Sequence, residues 1–205
     1  MHIWKHFVTI TKHRLLVMDG CFRVGLYWQG LTHDLSKYSP TEFLVGAKYY
    51  QGNRSPNAAE REDHGFSESW IHHKGRNRHH YEYWTDMDMA TRQYVSVPMP
   101  RKYVVEMVMD RRAACMTYQG KKYHPASAWE YYDRSREKHL MHPQLRRELE
   151  CLLKMLAEKG EKETFRYIRQ VVLKGKPFPA EENKPQERKE THTRRKTRHK
   201  VEKRS

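Results

Sequence analysis

The chain has 205 residues, 40 of them Lys or Arg against 25 Asp or Glu, for a formal charge of +15. That length suits one ordinary domain with a tail and would crowd two. No run of about eighteen apolar residues occurs, which excludes a helical membrane span, and the first residues lack the order of a secretory signal, so a soluble cytoplasmic protein is expected. Cys21, Cys115 and Cys151 are far apart and without metal-ligand spacing, and read as reduced thiols. The charge invites a nucleic-acid reading, but residues 174–205 hold 12 Lys or Arg against 5 Glu, a net +7, so about half of the excess belongs to a tail.

From the amino end, Phe7, Ile10, Leu15, Val17, Met18, Phe22 and Leu26 recur at mainly helical spacing, which predicts one long helix or two over residues 2–29. Gly30 ends it, and Thr32 caps a short helix carrying His33, Asp34 and Lys37. Ser39-Pro40-Thr41-Glu42 is a helix start, with serine as N-cap, proline in the first position and glutamate three residues after the cap. Residues 52–65 read as a polar loop. A helix from Ser67 or Ser69 carries Trp70, His73, His80 and Trp84, and another spans residues 103–118. Two more, 143–159 and 161–174, are divided by Gly160. After Pro179 the chain is charged and aperiodic and is expected to be disordered. The expected organisation is an all-α domain over residues 1–175 and a disordered basic tail over 176–205.

Five segments supply metal-ligand chemistry: His13, the doublet His33-Asp34, His73 with Asn77, the pair His79-His80, and Asp110. On a helix, His73, Asn77, His80 and Trp84 would share an arc of about 60°. Glu106 and Asp110, four residues apart, would share a face beside Ala113 and Ala114, and their repulsion would become tolerable with a cation between them. Fourteen histidines make some coincidences inevitable, and His64, His124 and His139 read as ordinary surface or satisfied residues. Glu42 is explained as the capping-box partner of Ser39 and is left out of the site, whereas Glu106 is open between pairing with Arg101 or Lys102 at a helix start and a place beside Asp110, and is not among the expected ligands.

His33-Asp34-Leu35-Ser36-Lys37 resembles the histidine-aspartate doublet of HD-domain metal-dependent phosphohydrolases. The order of the other groups fits that superfamily: His13 upstream, then His73 and His79-His80, then Asp110. His79-His80-Tyr81-Glu82 is similar to the two-metal branch that cleaves cyclic dinucleotides, although no Gly-Tyr-Pro follows. More specifically, the run from His33 through Ser39-Pro40-Thr41-Glu42-Phe43, with His72-His73, Asn77 and His79-His80, resembles an uncharacterised family of bacterial and phage proteins over about four fifths of the chain. Members of that family sometimes carry the label catalase, yet no residue pattern here argues for haem.

The resemblance implies an HD-like helical bundle holding one or two divalent ions (Mn, Fe, Co, Ni, Zn or Mg) on His13, His33, Asp34, His73, His79, His80 and Asp110. Lys37, Arg76 and Asn77 would then neutralise charge on a phosphate. The expected function is hydrolysis of a nucleotide or related small phosphoester. Two alternatives stand beside it: an HD-fold di-iron oxygenase, and a non-enzymatic helical protein that contacts nucleic acid weakly through its tail. An endonuclease built on His73, Asn77 and His80 would need a two-stranded hairpin, for which the sequence shows no signal.

Overall fold

The computed structural model describes residues 1–178, and the expected disordered tail lies almost wholly outside them. Among these residues are eight α-helices: α1 (Ile3–Val24), α2 (Tyr27–Thr32), α3 (Pro40–Lys48), α4 (Pro56–His64), α5 (Glu68–Lys74), α6 (Arg101–Gln119), α7 (Ser127–Asp133) and α8 (Pro143–Gln170). One antiparallel hairpin, β1 (Thr85–Met87) with β2 (Tyr94–Ser96), joins α5 to α6. No helix among the described residues is long and apolar enough to cross a membrane.

α1 is the central helix and packs on α2, α3, α6 and α8. Its buried side chains, Ile10, Val17, Cys21 and Val24 among them, recur at spacings of three, four and seven and form one stripe. Opposite them stand Val104, Val105, Val108 and Met109 of α6, and behind these Leu145, Leu149, Leu152, Leu153 and Leu156 of α8, all at most 1% exposed. Each such side chain stabilises the fold by about 1.5–3 kcal/mol relative to exposure. At Gly20 a Cβ would lie 2.8 Å from Met109 Sδ, so glycine sets how closely α1 approaches α6.

Three expected boundaries move. α1 ends at Gly25, five residues before Gly30, because Gly25 (φ 87°) takes the left-handed conformation and donates its N–H back to Cys21 and Phe22 carbonyls. Thr32 closes α2 and caps nothing; its hydroxyl donates to the Trp28 carbonyl. The helix begun by Ser67, whose Oγ accepts from Trp70 N–H, stops at Lys74 and does not reach Trp84. The loop expected over residues 52–65 contains α4, and α7 was also unanticipated. The hairpin is likewise new, but it follows His73, Asn77 and His80 in the chain and is mostly exposed.

Two expectations hold in detail. α3 begins at Pro40 behind Ser39, although the Ser39 hydroxyl makes no capping bond. Gly160 (φ 72°, ψ −179°) breaks α8 where the sequence divides it, turning Phe165 and Ile168 onto the core. Glu161 then joins three helices: it accepts from Arg23 Nη1 at 2.7 Å and from Arg112 Nε at 2.6 Å.

Candidate metal centre

Asp34 lies at the centre of the site and has an uncommon backbone. It occupies the turn between α2 and a short 3₁₀ helix (Leu35–Tyr38) at φ 53°, a left-handed conformation that aspartate tolerates better than most residues. Such strain costs on the order of 1–3 kcal/mol and persists where its surroundings over-determine it. The turn directs a 1%-exposed carboxylate into the protein, where two groups of side chains meet it.

The first group comes from α1, the turn and α6. His33 Nε2 is 3.3 Å and His13 Nε2 3.8 Å from Asp34 Oδ2. Asp110 Oδ1 is 2.9 Å from His13 Nε2 and 3.7 Å from His33 Nε2. The second group comes from α5 and the turn after it: His73 Nε2 and His79 Nε2 stand 3.3 and 3.5 Å from Asp34 Oδ1, and His80 completes the set. Within each group the ligand atoms lie within 4.8 Å of one another. Two ligands about 2.1 Å from one ion, at tetrahedral or octahedral angles, stand roughly 3.0–3.4 Å apart, so these separations are near those of a coordination shell.

The imidazoles face inward because their other nitrogens are held. Glu106 Oε1 accepts from Nδ1 of both His33 (3.0 Å) and His79 (3.2 Å). Glu42 Oε2 accepts from His73 Nδ1 at 2.7 Å, while its Oε1 accepts from His72 Nδ1 at 2.6 Å. A carboxylate partner fixes a proton on Nδ1 and so orients the ring, and whenever the imidazole is neutral its Nε2 lone pair faces Asp34. Buried polar atoms are nearly always hydrogen-bonded, yet Nε2 of His33, His79 and His80 and Oδ1 of Asp34 make no hydrogen bond, and Asp34 Oδ2 meets only the ion-paired Lys37 and the imidazoles around it.

The electrostatics follow from crowding. Burial opposes ionisation of Asp34, but the charges of His33, Lys37 and His73 outweigh it and hold the carboxyl well below its usual range. Asp110 is likewise held well below its usual value, with burial offset by the imidazoles of His13 and His33 beside it. Burial pushes His80 well down, helped by the neighbouring His79 and His73, and lowers His13 with help from Lys37. Both are therefore held neutral, the state a metal ligand needs.

All seven expected ligands, His13, His33, Asp34, His73, His79, His80 and Asp110, converge here. They do so by a different route from the expected helical stripe, since the chain leaves α5 at Gly75 and doubles back. Asn77 makes that reversal: its Nδ2 donates to the His73 carbonyl (2.8 Å) and Ser36 Oγ (2.9 Å), so it bridges two segments of the site. Lys37 Nζ reaches Asp34 Oδ2 at 2.6 Å. Arg76 is exposed on the surface, its Nη1 on the His72 carbonyl, and is not brought to the cluster. Glu42 and Glu106 are corrections. Glu42 is 6% exposed and serves histidines rather than the Ser39 cap, and Arg101 pairs with Glu148 rather than Glu106.

A helical protein with a buried aspartate between two histidine-rich clusters that could hold metal ions is what fold and site define. The chain belongs to a family of unknown function (DUF5662), whose model matches residues 2–155 and so spans every residue of the cluster. No curated protein and no solved structure matches it.

Proposed function

We propose that the cluster is a two-ion centre bridged by Asp34, and that the protein is a metal-dependent phosphohydrolase acting on a nucleotide or related small phosphoester. One observation carries the reading: the two oxygens of a single buried carboxylate face two separate groups of His and Asp side chains, in which Nε2 of His33, His79 and His80 has no hydrogen-bond partner. His13, His33 and Asp110 would hold one ion, and His73, His79 and His80 the other. Imidazoles mixed with carboxylates suit divalent first-row metals. The order of these residues along the chain also resembles that of HD-domain hydrolases, and an HD-like bundle is part of the proposal.

A bound divalent ion brings the pKa of its water toward about 7 and so supplies hydroxide near neutrality. The chain's own residues do the rest. Glu106 and Glu42 orient the imidazoles, and Asp110 holds its negative charge beside His13. Lys37, 29% exposed at its side chain, is placed to answer the charge of a phosphate entering from solvent.

Elemental analysis tests the metal, and hydrolysis of p-nitrophenyl phosphate and bis-p-nitrophenyl phosphate with added Mn2+ tests the chemistry. Stoichiometric metal lost in Asp34→Asn, together with activity lost in the same variant, is the expected result. Wild type that takes up none of Mn, Fe, Co, Ni or Zn overturns the centre. The five imidazoles in the site favour one other reading, a di-iron oxygenase. Bound iron, oxygen consumption and no phosphatase activity would select it.

A further inference from the structure

We infer that the outer face of α1 is the surface through which two copies of this chain pair about a twofold axis. The helix is apolar on two sides. Its inner stripe is consumed by the core, but Trp4, Val8, Thr11, Leu15, Met18 and Phe22 repeat at alternating steps of four and three on the opposite side, within an arc of about 80°. Trp4 is 72% exposed, Val8 46% and Leu15 51%. α2 extends the patch: it packs beside Phe22, with Tyr27 at 5.3 Å between ring centres, and exposes Trp28 (72%) and Leu31 (48%).

Taking about 150–250 Å² for each large apolar side chain, the face exposes on the order of 1,000 Å². The largest patch on a typical monomer is roughly 300–600 Å², and a stable interface covers about 800 Å² of each partner. Residues 179–205 contain only Ala180 and Val201 as apolar side chains besides prolines, a composition poorly matched to an apolar face.

A second copy fits for two reasons. A seven-residue apolar repeat is what one helix presents to another of the same kind. The charges along one edge also change sign, with Lys5 and Lys12 toward one end and Asp19 toward the other, where Arg23 stands 3.6 Å from Asp19 but is drawn to Glu161 at 2.7 Å. A twofold that runs two α1 helices antiparallel sets each Lys5 against an Asp19, and lays the Trp28 ridge of one copy beside the Ile3–Phe7 end of the other. Lys12 then meets its own copy near the axis, the one unfavourable pair. Arg14, on the other edge, is already turned back onto the carbonyls of Leu31 and His33. A lipid surface is the competing occupant, since Lys5, Lys12 and Arg23 are cations of the kind that edge a membrane-seated helix, and vesicle binding separates it from a second copy.

Sedimentation equilibrium of the full chain decides the matter, independently of any metal. Wild type is expected at twice the 24.9 kDa chain mass at about 100 μM, where a ~1 μM dimer is nearly complete by mass action. Val8→Glu and Leu15→Glu, both at exposed positions, are expected to be monomers with unchanged circular dichroism. Lys12→Met is expected to tighten the dimer several-fold. A wild type of single-chain mass at that concentration, glutamate variants that pair as well as wild type, or a monomer that co-sediments with anionic vesicles would each overturn the inference.

Discussion

Along α8, five leucines bury themselves against α6 and α7 with no polar atom to satisfy, while around Asp34 the same depth of burial is given to imidazoles and carboxylates, several of whose inner atoms find no hydrogen bond. The leucine side stabilises the fold by removing apolar area from water. The Asp34 side does the reverse, since a buried charge lacking full hydrogen bonding destabilises unless something neutralises it. A protein whose folding is secured by one side can hold an uneconomic arrangement on the other, as residues retained for chemistry require. Substitutions on the two sides should therefore separate stability from metal binding.

The largest separation is expected at Asp34. Asp34→Ala removes the ligand shared by both sets, so bound metal should fall from as many as two ions per chain to none, read by elemental analysis. In the metal-free proteins the buried charge of Asp34 disappears, but Lys37, His33 and His73 lose the carboxylate that offsets theirs, so the melting temperature should change by less than it does in Leu152→Ala. A large drop in the metal-free melting temperature would place Asp34 among the structural residues and erase the contrast. Leu152→Ala is the converse. Loss of a fully buried leucine costs about 2–5 kcal/mol, read by denaturant unfolding, with metal stoichiometry unchanged in the folded fraction.

Glu106→Gln sharpens the boundary between the sides. It keeps the shape but weakens the acceptor that serves His33 and His79 together. Changes in residues that orient ligands lower metal affinity by about 10–100-fold, so a shift of that size in competition with a chelator is expected, with both ions still able to bind. Glu42→Gln should do the same for the set containing His73 alone. Equal loss from both sets in the Glu42 variant would contradict the division of the ligands.

Much of this was legible in the sequence, and the failures have a common cause. The convergence of His13, His33, Asp34, His73, His79, His80 and Asp110 is legible because histidine and aspartate at five places leave few other chemistries, and the Gly160 break because glycine takes the left-handed conformation without strain. Glu42 was misread because Ser39-Pro40 is a valid local cap signal, and nothing local reveals that His72 and His73 compete for the same carboxylate. Glu106 was visible as a partner of Asp110 on one face, but the pairing with Arg101 left open beside it overlooked Glu148, 42 residues downstream of it. The pattern over residues 2–29 predicts one long helix or two, and does not show that the apolar residues of α1 divide between a buried face and an exposed one. Residues 52–65 read as a loop because α4 buries little beyond Ala59 and Glu60, too small an apolar face to register as a period.

The smallest expected effect belongs to His6, which lies outside the cluster and shows how acid should act on the fold itself. Its imidazole is 5% exposed and packs so tightly on α3 that a Cβ at Gly46 would lie 2.3 Å from Nε2. Burial, with Lys37 adding to it, lowers the His6 pKa from 6.5 to about 4. The unfolded chain therefore takes up a proton that the folded chain refuses, and stability that is full above pH 6.5 declines as pH falls through about 4. One pKa unit is worth about 1.4 kcal/mol, so wild type should lose about 1–3 kcal/mol between pH 7 and pH 4.5 that His6→Leu does not. Chemical denaturation of both metal-free proteins at the two pH values reads the difference, and the histidines of the cluster, common to both, cancel. Parallel losses would mean that His6 stays neutral or charged alike in both states, and that acid acts on this protein through the Asp34 side alone.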